Sequence, residues 1–94
     1  YDRNMTLNHA RLERTVKGFA NHRRIQILEL LQKTPELSVD EIATILKINF
    51  KTASEHIRRL AISGLVLKRH AGNEVRHKLT DKAISILKFL RILE

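Results

Sequence analysis

Apolar residues recur at steps of three and four between residues 38 and 64, and this spacing predicts two short amphipathic helices in succession. The first apolar stripe comprises Val39, Ile42, Ala43 and Leu46, and the second comprises Ala53, Ile57 and Leu60. Ser38 and Glu41 form an S-x-x-E capping box, so the first helix is expected to begin there. Asn49 is a favourable N-cap for the second helix, and Gly64 is a favourable stop. The pattern therefore predicts a helix-turn-helix over residues 38–64.

The polar side of the second helix carries many hydrogen-bond donors. At 100° per residue, the positions turned away from its apolar stripe or flanking it are Lys51, Thr52, Ser54, Glu55, Arg58, Arg59 and Ile62. A half-buried helix with these donors has the dimensions to enter a DNA major groove. On an isolated helix the same residues would more simply form a solvated polar face, but the elements on either side favour the groove.

Two further helices are predicted before the helix-turn-helix. Residues from about 5 to 20 have a thin apolar stripe, so this helix is expected to lean on another surface; the stripe comprises Met5, Leu12, Val16 and Phe19. Asn21 can cap the next helix, which should end at Thr34-Pro35 because proline disfavours helical backbone in the residue before it. Its apolar residues are too many for one surface stripe: Ile25, Ile27, Leu28, Leu30 and Leu31. We therefore interpret it as the central helix.

A β-hairpin, or wing, is predicted over residues 65–80, because two β-prone runs flank a Gly72-Asn73 turn. The two-residue turn implies pairing of Leu67 with Lys78 and Arg69 with Arg76 on one face, and of Val66 with Leu79 and His70 with Val75 on the other. Like charges directly opposed destabilise a hairpin, so an anion bound among Arg69, Arg76 and Lys78 would explain the arrangement. The alternative is that these long side chains splay into water.

The last helix, over residues 81–93 and capped by Thr80 or Asp81, is unusually apolar. Eight of the eleven positions from 83 to 93 are apolar, and packing one face against a core needs only about half of these. A terminal helix of this kind needs a second surface to cover it, and a second copy of the same helix is the simplest one. The pattern therefore predicts a two-fold dimer.

Composition adds a partner class to this picture. The 94 residues make one domain, spanning residues 1–94, and the net charge of +8 favours a polyanionic partner, nucleic acid before anionic membrane. The charge is concentrated, since residues 47–78 contain eight Lys or Arg against only Glu55 and Glu74. No apolar run approaches 18 residues, and the N-terminus lacks the layout of a signal peptide, so a cytoplasmic location is expected.

Catalytic and metal chemistry find little support. The absence of cysteine excludes disulfides and thiolate metal sites. The five histidines are His9, His22, His56, His70 and His77, and no two of them are three or four residues apart on a helix. His56 is expected to be partly buried, and His70 and His77 to lie on the surface of the wing. There is no glycine-rich phosphate loop, paired carboxylates or Ser/His/Asp motif, so we predict neither an enzyme nor a cofactor or metal site.

From about Val16 to Thr80 the chain resembles the arsenic-repressor-type (ArsR) family of winged helix-turn-helix transcriptional regulators. The resemblance lies in VKGFANHRRIQILELL, ELSVDEIATIL, NFKTASEHIRRLAISGLV and LKRHAGNEVRHKLT. It implies a mainly α fold with a small β-hairpin, in the order helix, helix, helix-turn-helix, wing, helix. It also implies a homodimer joined through its first and last helices that represses by occupying operator DNA.

The chain departs from the family pattern at its effector sites and in the helix-turn-helix. Ser38 and Asp40 stand where many relatives carry a metal-sensing cysteine pair, and the helix after Asp81 has no histidine for a zinc site. Lys47 stands where glycine is common, and a left-handed backbone there would cost about 1 kcal/mol. Glu55 stands where a neutral residue or histidine is common, and it would repel phosphate or require a cytosine amino group.

These observations predict a homodimeric transcriptional regulator that binds double-stranded DNA in a sequence-specific manner. Its operator is expected to be pseudo-palindromic, with half-sites about 34–36 Å apart. The candidates for base edges are Lys51, Thr52, Ser54 and Arg58. Those for phosphates are Lys47, Arg59, Arg69, Arg76 and Lys78, with Asn73 at the wing tip for the minor groove or sugar. The dimer candidates are Leu12, Val16, Ile86, Phe89, Leu90 and Leu93. The alternative is a winged-helix module that binds a protein or RNA partner through the same basic face, which Glu55 and Ile62 would favour.

Overall fold

A computed structural model of the protein describes residues 6–94, so the predicted role of Met5 lies outside the described residues. The elements are α1 (His9–Phe19), α2 (His22–Lys33), α3 (Val39–Leu46), α4 (Phe50–Ile62), β1 (Val66–Ala71), β2 (Glu74–Leu79) and α5 (Asp81–Leu93). The order helix, helix, helix-turn-helix, wing, helix is confirmed, as is the mainly α fold with one antiparallel hairpin.

The first helix begins later than the predicted start near residue 5. Asn8 ends the preceding extended segment, and its side-chain oxygen accepts a hydrogen bond from the Arg11 amide at 3.0 Å. An asparagine in this position satisfies one of the amides that a helix leaves unpaired at its N-terminus, so α1 starts at His9. Only Gly18 and Phe19 of α1 are buried, which agrees with the thin apolar stripe.

The core is built around α2, as the excess of apolar positions predicted. Asn21 caps α2 by accepting from the amides of Arg23 and Arg24 at 2.9 and 3.2 Å, and Thr34 ends it before the proline. Ile27 and Leu28 have no exposed surface, because α1, α4, α5 and β2 all pack against this helix. Burial of each such side chain stabilises the fold by about 1.5–3 kcal/mol.

The hairpin has the predicted register, with Arg69 opposite Arg76 and Leu67 opposite Lys78. The segment before α3 extends the sheet, because Leu37 pairs with His77 on the free side of β2. The His77 amide donates to the Leu37 carbonyl at 3.0 Å, and the Glu36 amide donates to the His77 carbonyl at 2.9 Å.

His77 is buried, and its predicted position on the surface of the wing was wrong. It lies on the inward face of β2 with 1% of its surface exposed, and its Nδ1 donates to the Leu37 carbonyl at 2.8 Å. Burial lowers the pKa of His77, against the opposing effect of that hydrogen bond, so the ring is held in its neutral form. The imidazole therefore ties the wing to the segment that precedes α3.

The last helix exposes much of its apolar surface. Thr80 caps α5 by accepting from the Ala83 amide at 3.2 Å, and Ala83 and Leu87 are buried against the core. The outer side is apolar as well: Phe89 is 53% exposed, Ile92 80% and Leu93 65%. Within residues 6–94, no helix has the length and apolar content needed to span a bilayer.

Candidate nucleic-acid interface

The turn between α3 and α4 is set by the residues that the sequence singled out. Ser38 Oγ accepts from the Glu41 amide at 3.2 Å and Glu41 Oε1 accepts from the Ser38 amide at 3.0 Å, which confirms the capping box. The hydrogen bonds from Ser38 lower the pKa of the Glu41 carboxyl. Lys47 ends α3 with φ 56° and ψ 46°, the left-handed backbone for which the cost of about 1 kcal/mol applies. This turn aims α4 away from α3.

Helix α4 presents a polar face to solvent over its whole length. Asn49 accepts from the amides of Lys51 and Thr52 at 2.8 and 3.4 Å, which fixes the start of the helix. Ala53, Ile57 and Leu60 are buried against the core. The side chains left exposed are Phe50, Lys51, Thr52, Glu55, Arg58, Arg59 and Ile62, with Ser54 half-buried at the edge. The outward face thus carries the residues predicted for it.

Glu55 sits at the centre of this face and binds both arginines. Arg58 donates to its two carboxylate oxygens at 2.9 Å each, and Arg59 Nε donates to Oε1 at 3.1 Å. These hydrogen bonds lower the pKa of Glu55 to about 2, so the carboxylate stays charged at any physiological pH. The carboxylate therefore holds the side chain of Arg58 along the helix.

The two arginines of the wing are also paired with carboxylates. Arg69 donates to Glu36 at 3.0 Å, and Arg76 donates to Glu74 at 2.8 Å. The repulsion between Arg69 and Arg76 is thus relieved inside the chain, and the predicted explanation by a bound anion is not needed. Nε of Arg76 is buried with no hydrogen-bond partner in the described part of the chain.

Lys47 at the helix turn, Lys78 on β2 and Asn73 at the wing tip are exposed. Gly72 takes φ 64° at the first position of the turn, which places Asn73 at the wing tip.

The sequence gives no indication that Glu36 is a partner of Arg69. The two residues are 33 positions apart, and they meet only because Leu37 joins the sheet.

A second contact that the sequence did not reveal joins α2 to α4. Arg24 Nε donates to His56 Nδ1 at 3.1 Å, and Arg24 Nη1 donates to the Gly18 carbonyl at 3.2 Å. Burial and the charge of Arg24 lower the pKa of His56, so the neutral ring acts as the acceptor. His56 is half-buried, as predicted, and its contact with Arg24 ties α4 to α2. Residues 6–94 contain no cluster of three His, Cys, Asp or Glu able to hold a metal ion.

The candidate dimer residues fall into two groups. Leu12 and Val16 on α1 are 41% and 49% exposed, and Phe89 and Leu93 on α5 are also exposed. Ile86 and Leu90 are partly buried against the core of the same chain.

The fold combines a scaffold helix, an exposed helix after a tight turn and a two-stranded wing. This combination defines the class of winged helix-turn-helix DNA-binding proteins. Residues 21–68 match the model of the family described as "Bacterial regulatory protein, arsR family". The chain belongs to the ArsR family of transcriptional regulators, and thus to a family of regulators rather than enzymes.

Two relatives named as transcriptional regulators agree with this assignment. The chain is 32% identical over 83 residues to the transcriptional activator HlyU of Vibrio cholerae, which covers 88% of this chain and 76% of HlyU. It is 36% identical over 74 residues to the HTH-type transcriptional regulator Rv0324 of Mycobacterium tuberculosis, covering 79% of this chain but only 32% of Rv0324. This chain thus spans about a third of Rv0324.

Among solved structures, the chain is similar to the homodimeric winged helix-turn-helix DNA-binding domain of Mycobacterium bovis Mb0332, a possible ArsR-family transcriptional regulator. The TM-score is 0.83 at 31% identity, covering 99% of this chain and 85% of that one.

Proposed function

We propose that this protein is a homodimeric repressor that binds a pseudo-palindromic site in double-stranded DNA. The observation that supports this most strongly is the exposed donor-bearing face of α4, set beside a basic wing in a member of the ArsR family. In this proposal, the protein represses transcription by occupying the operator.

In this proposal Lys51, Thr52, Ser54 and Arg58 contact base edges, because they lie on the N-terminal and central part of α4. Arg58 leaves Glu55 to reach guanine, to which an arginine can bind in a bidentate manner. Exchange of one bidentate partner for another keeps the guanidinium satisfied, so the ion pair with Glu55 does not preclude this contact.

The proposed phosphate contacts come mainly from exposed cations at the margins of the helix-turn-helix and wing. Lys47 and Lys78 are exposed, and Arg59 lies on the flank of α4. Arg69 and Arg76 would exchange Glu36 and Glu74 for phosphate, whereas Asn73 is placed to reach the minor groove or a sugar.

The proposed dimer covers the exposed apolar side chains of α1 and α5. The centre of this interface would be formed by Leu12, Val16, Phe89 and Leu93. The partner subunit would also contact the partly buried side chains of Ile86 and Leu90. The homodimeric state of the Mb0332 domain supports this arrangement. Two-fold symmetry would place the two copies of α4 in successive major grooves about 34–36 Å apart, which requires a pseudo-palindromic target.

Operator binding is proposed to need no metal, since Ser38 and Asp40 stand at the cysteine positions of metal-sensing relatives.

Selection from a random duplex pool tests the proposal directly. The expected result is an inverted repeat with half-sites one helical turn apart, bound by a dimer with a steep salt dependence and unaffected by a chelator. In a reporter carrying the selected site, the protein should lower expression. A rise in expression would place the protein with the activator HlyU instead, and a pool that yields no consensus would contradict sequence-specific binding.

A second candidate function is a module that binds a protein or RNA partner. Two observations favour it: Ile62 is 68% exposed at the end of α4, and Glu55 occupies the guanidinium groups of Arg58 and Arg59. Titration of selected and random duplexes at two salt concentrations distinguishes the two functions. Equal affinity for both duplexes would support the module, and a large gap would support the regulator.

A further inference from the structure

A groove beside the recognition helix collects six cationic side chains. It lies between α1, the flank of α4 and the start of α5, with a volume of about 850 Å³. We call it the basic groove, and its cations are Arg11, Arg14, Lys17, Arg24, Arg59 and Lys82. Glu55 is the one carboxylate among the lining residues. Clefts of 300–1,000 Å³ are typical of small-molecule sites.

Much of the positive charge in the basic groove has no partner within the fold. Glu55 is shared between Arg58 and Arg59, Arg24 is engaged by His56 and the Gly18 carbonyl, and Lys17 pairs with Glu13 at 3.6 Å. Among residues 6–94, no carboxylate lies within ion-pair distance of Arg11, Arg14 or Lys82. A concave surface lined by one sign of charge concentrates its field, and an anion inside it would relieve the repulsion between the side chains.

The basic groove lies apart from the proposed dimer surface and borders the α4 face proposed for DNA, with which it shares Glu55 and Arg59. At 100° per residue, Leu12 and Val16 point about 145° around α1 from Arg11, Arg14 and Gly18, so dimer formation on that apolar stripe leaves the groove side of α1 uncovered. On α4, the lining side chains are Glu55, Arg59, Ile62 and Ser63. Arg59 and Ser63 are turned by about a quarter to a third of a turn from the side that carries Lys51 and Arg58, whereas Glu55 and Ile62 lie closer to that side.

We propose that the basic groove binds a small, multiply charged phosphate compound of the oligophosphate class. Three observations carry the proposal: the volume, which suits a small molecule; the six cations from four helices; and the concave shape, which a duplex backbone fits less well than a compact anion. Arginine is the side chain best matched to phosphate oxygens, because its planar fork donates two parallel hydrogen bonds.

The basic groove shares Glu55 and Arg59 with the recognition helix, so the two sites are coupled. A phosphate that recruits Arg59 competes with Glu55 for its guanidinium, and it adds negative charge next to the face proposed for DNA. Both effects oppose the binding of a polyanion. The ligand is therefore expected to weaken DNA binding, and DNA to weaken ligand binding by the same factor. This coupling rests on the proposed function, whereas the binding of phosphate itself does not.

Calorimetric titration of the full chain with inorganic pyrophosphate, at constant ionic strength, tests the site without DNA. Wild-type protein should show one saturable site per chain. The double variant Arg14→Gln/Lys82→Gln should bind at least about tenfold more weakly, because it removes two charge-assisted contacts. The control Lys33→Gln/Lys88→Gln loses the same charge at exposed positions outside the basic groove, and it should stay within about twofold of wild type.

Absence of saturable pyrophosphate binding by wild-type protein would overturn the proposal, as would equal weakening in the two double variants.

A second measurement uses a fluorescent duplex. Saturating pyrophosphate should weaken duplex binding by wild type and leave the groove variant unaffected. If the groove variant instead loses far more DNA affinity than the control and wild type does not bind pyrophosphate, the groove is a surface for DNA phosphates and the proposal fails. If the protein binds pyrophosphate but no duplex, the proposed function fails and the phosphate site stands.

Discussion

Gly18 is the position where a single added carbon should disturb the fold most clearly. A Cβ built on Gly18 would lie 1.8 Å from Ser63 Oγ and 2.5 Å from Ser63 Cβ, both below any real contact distance. The Cβ clash means that rotation of the Ser63 hydroxyl cannot relieve the overlap, so α1 must shift from the end of α4. Overpacking of this kind costs about 1–3 kcal/mol.

The helix propensity of alanine works in the opposite direction. Gly18 lies inside α1, where replacement by alanine favours the helix by up to about 1 kcal/mol. Because the clash involves two atoms, we expect the steric cost to fall in the upper part of its range and Gly18→Ala to destabilise the protein by about 1–2 kcal/mol. For a chain of 94 residues, each kcal/mol lowers the melting temperature by about 4–8 °C.

The matched partner is Ser63→Gly, which removes both clashing atoms. Circular dichroism melts at one protomer concentration would compare wild type, the two single variants and the double variant, because dimerisation makes melting depend on concentration. The double variant should recover most of the loss, with a coupling of about 1–2 kcal/mol between the two positions. Gly18→Ala as stable as wild type, or additive effects in the double variant, would refute the close approach of α1 and α4.

Four further predictions concern DNA binding, assembly and pH. Arg58→Ala should weaken binding to the selected site by about tenfold and relax one base position, whereas Lys78→Ala should weaken all sequences alike and flatten the salt dependence; identical effects on selected and random duplexes would contradict this division. Glu55→Gln removes the carboxylate that holds the arginines, so the affinity for random duplex should rise. In anisotropy titrations this affinity should also decrease more steeply with increasing salt than that of wild type. Unchanged affinity would count against the restraint of the arginines by Glu55. Phe89→Asp should turn a dimer into a monomer in sedimentation at micromolar concentration, because it places a charge in the apolar contact; a wild-type monomer under the same conditions would refute the dimer. Burial lowers the pKa of His77 in the native state from its ordinary 6.5, so the unfolded chain takes up a proton first on acidification. The free energy of unfolding, measured by urea titration, should therefore be full above about pH 6.5 and decline below it until the lowered pKa is reached. The variant His77→Asn should show a shallower decline.

The helix-turn-helix shows how far local rules reach. Ser38, Asn49 and Gly64 act on backbone groups within a few residues of themselves, so the bounds of α3 and α4 follow from the spacing of these residues and the apolar stripes. The hairpin register follows in the same way, because a two-residue turn leaves one pairing that buries Val66 and Leu79. The start of α1 was missed because Asn8, a capping residue, was read as part of the helix.

The features that only the tertiary structure decided all join residues distant in the chain. His77 is buried because Leu37 adds to the sheet 40 residues away, and Glu36 is thereby brought to Arg69. The basic groove exists because the approach of α1 to α4 at Gly18 and Ser63 brings together cations from four helices. Sequence spacing determines what a residue does to its near neighbours along one helix or strand, and this was enough to establish the fold and the face proposed for DNA. Which charges are paired, and which are left to a ligand, depends on how the helices pack, and no periodicity in the sequence carries that information.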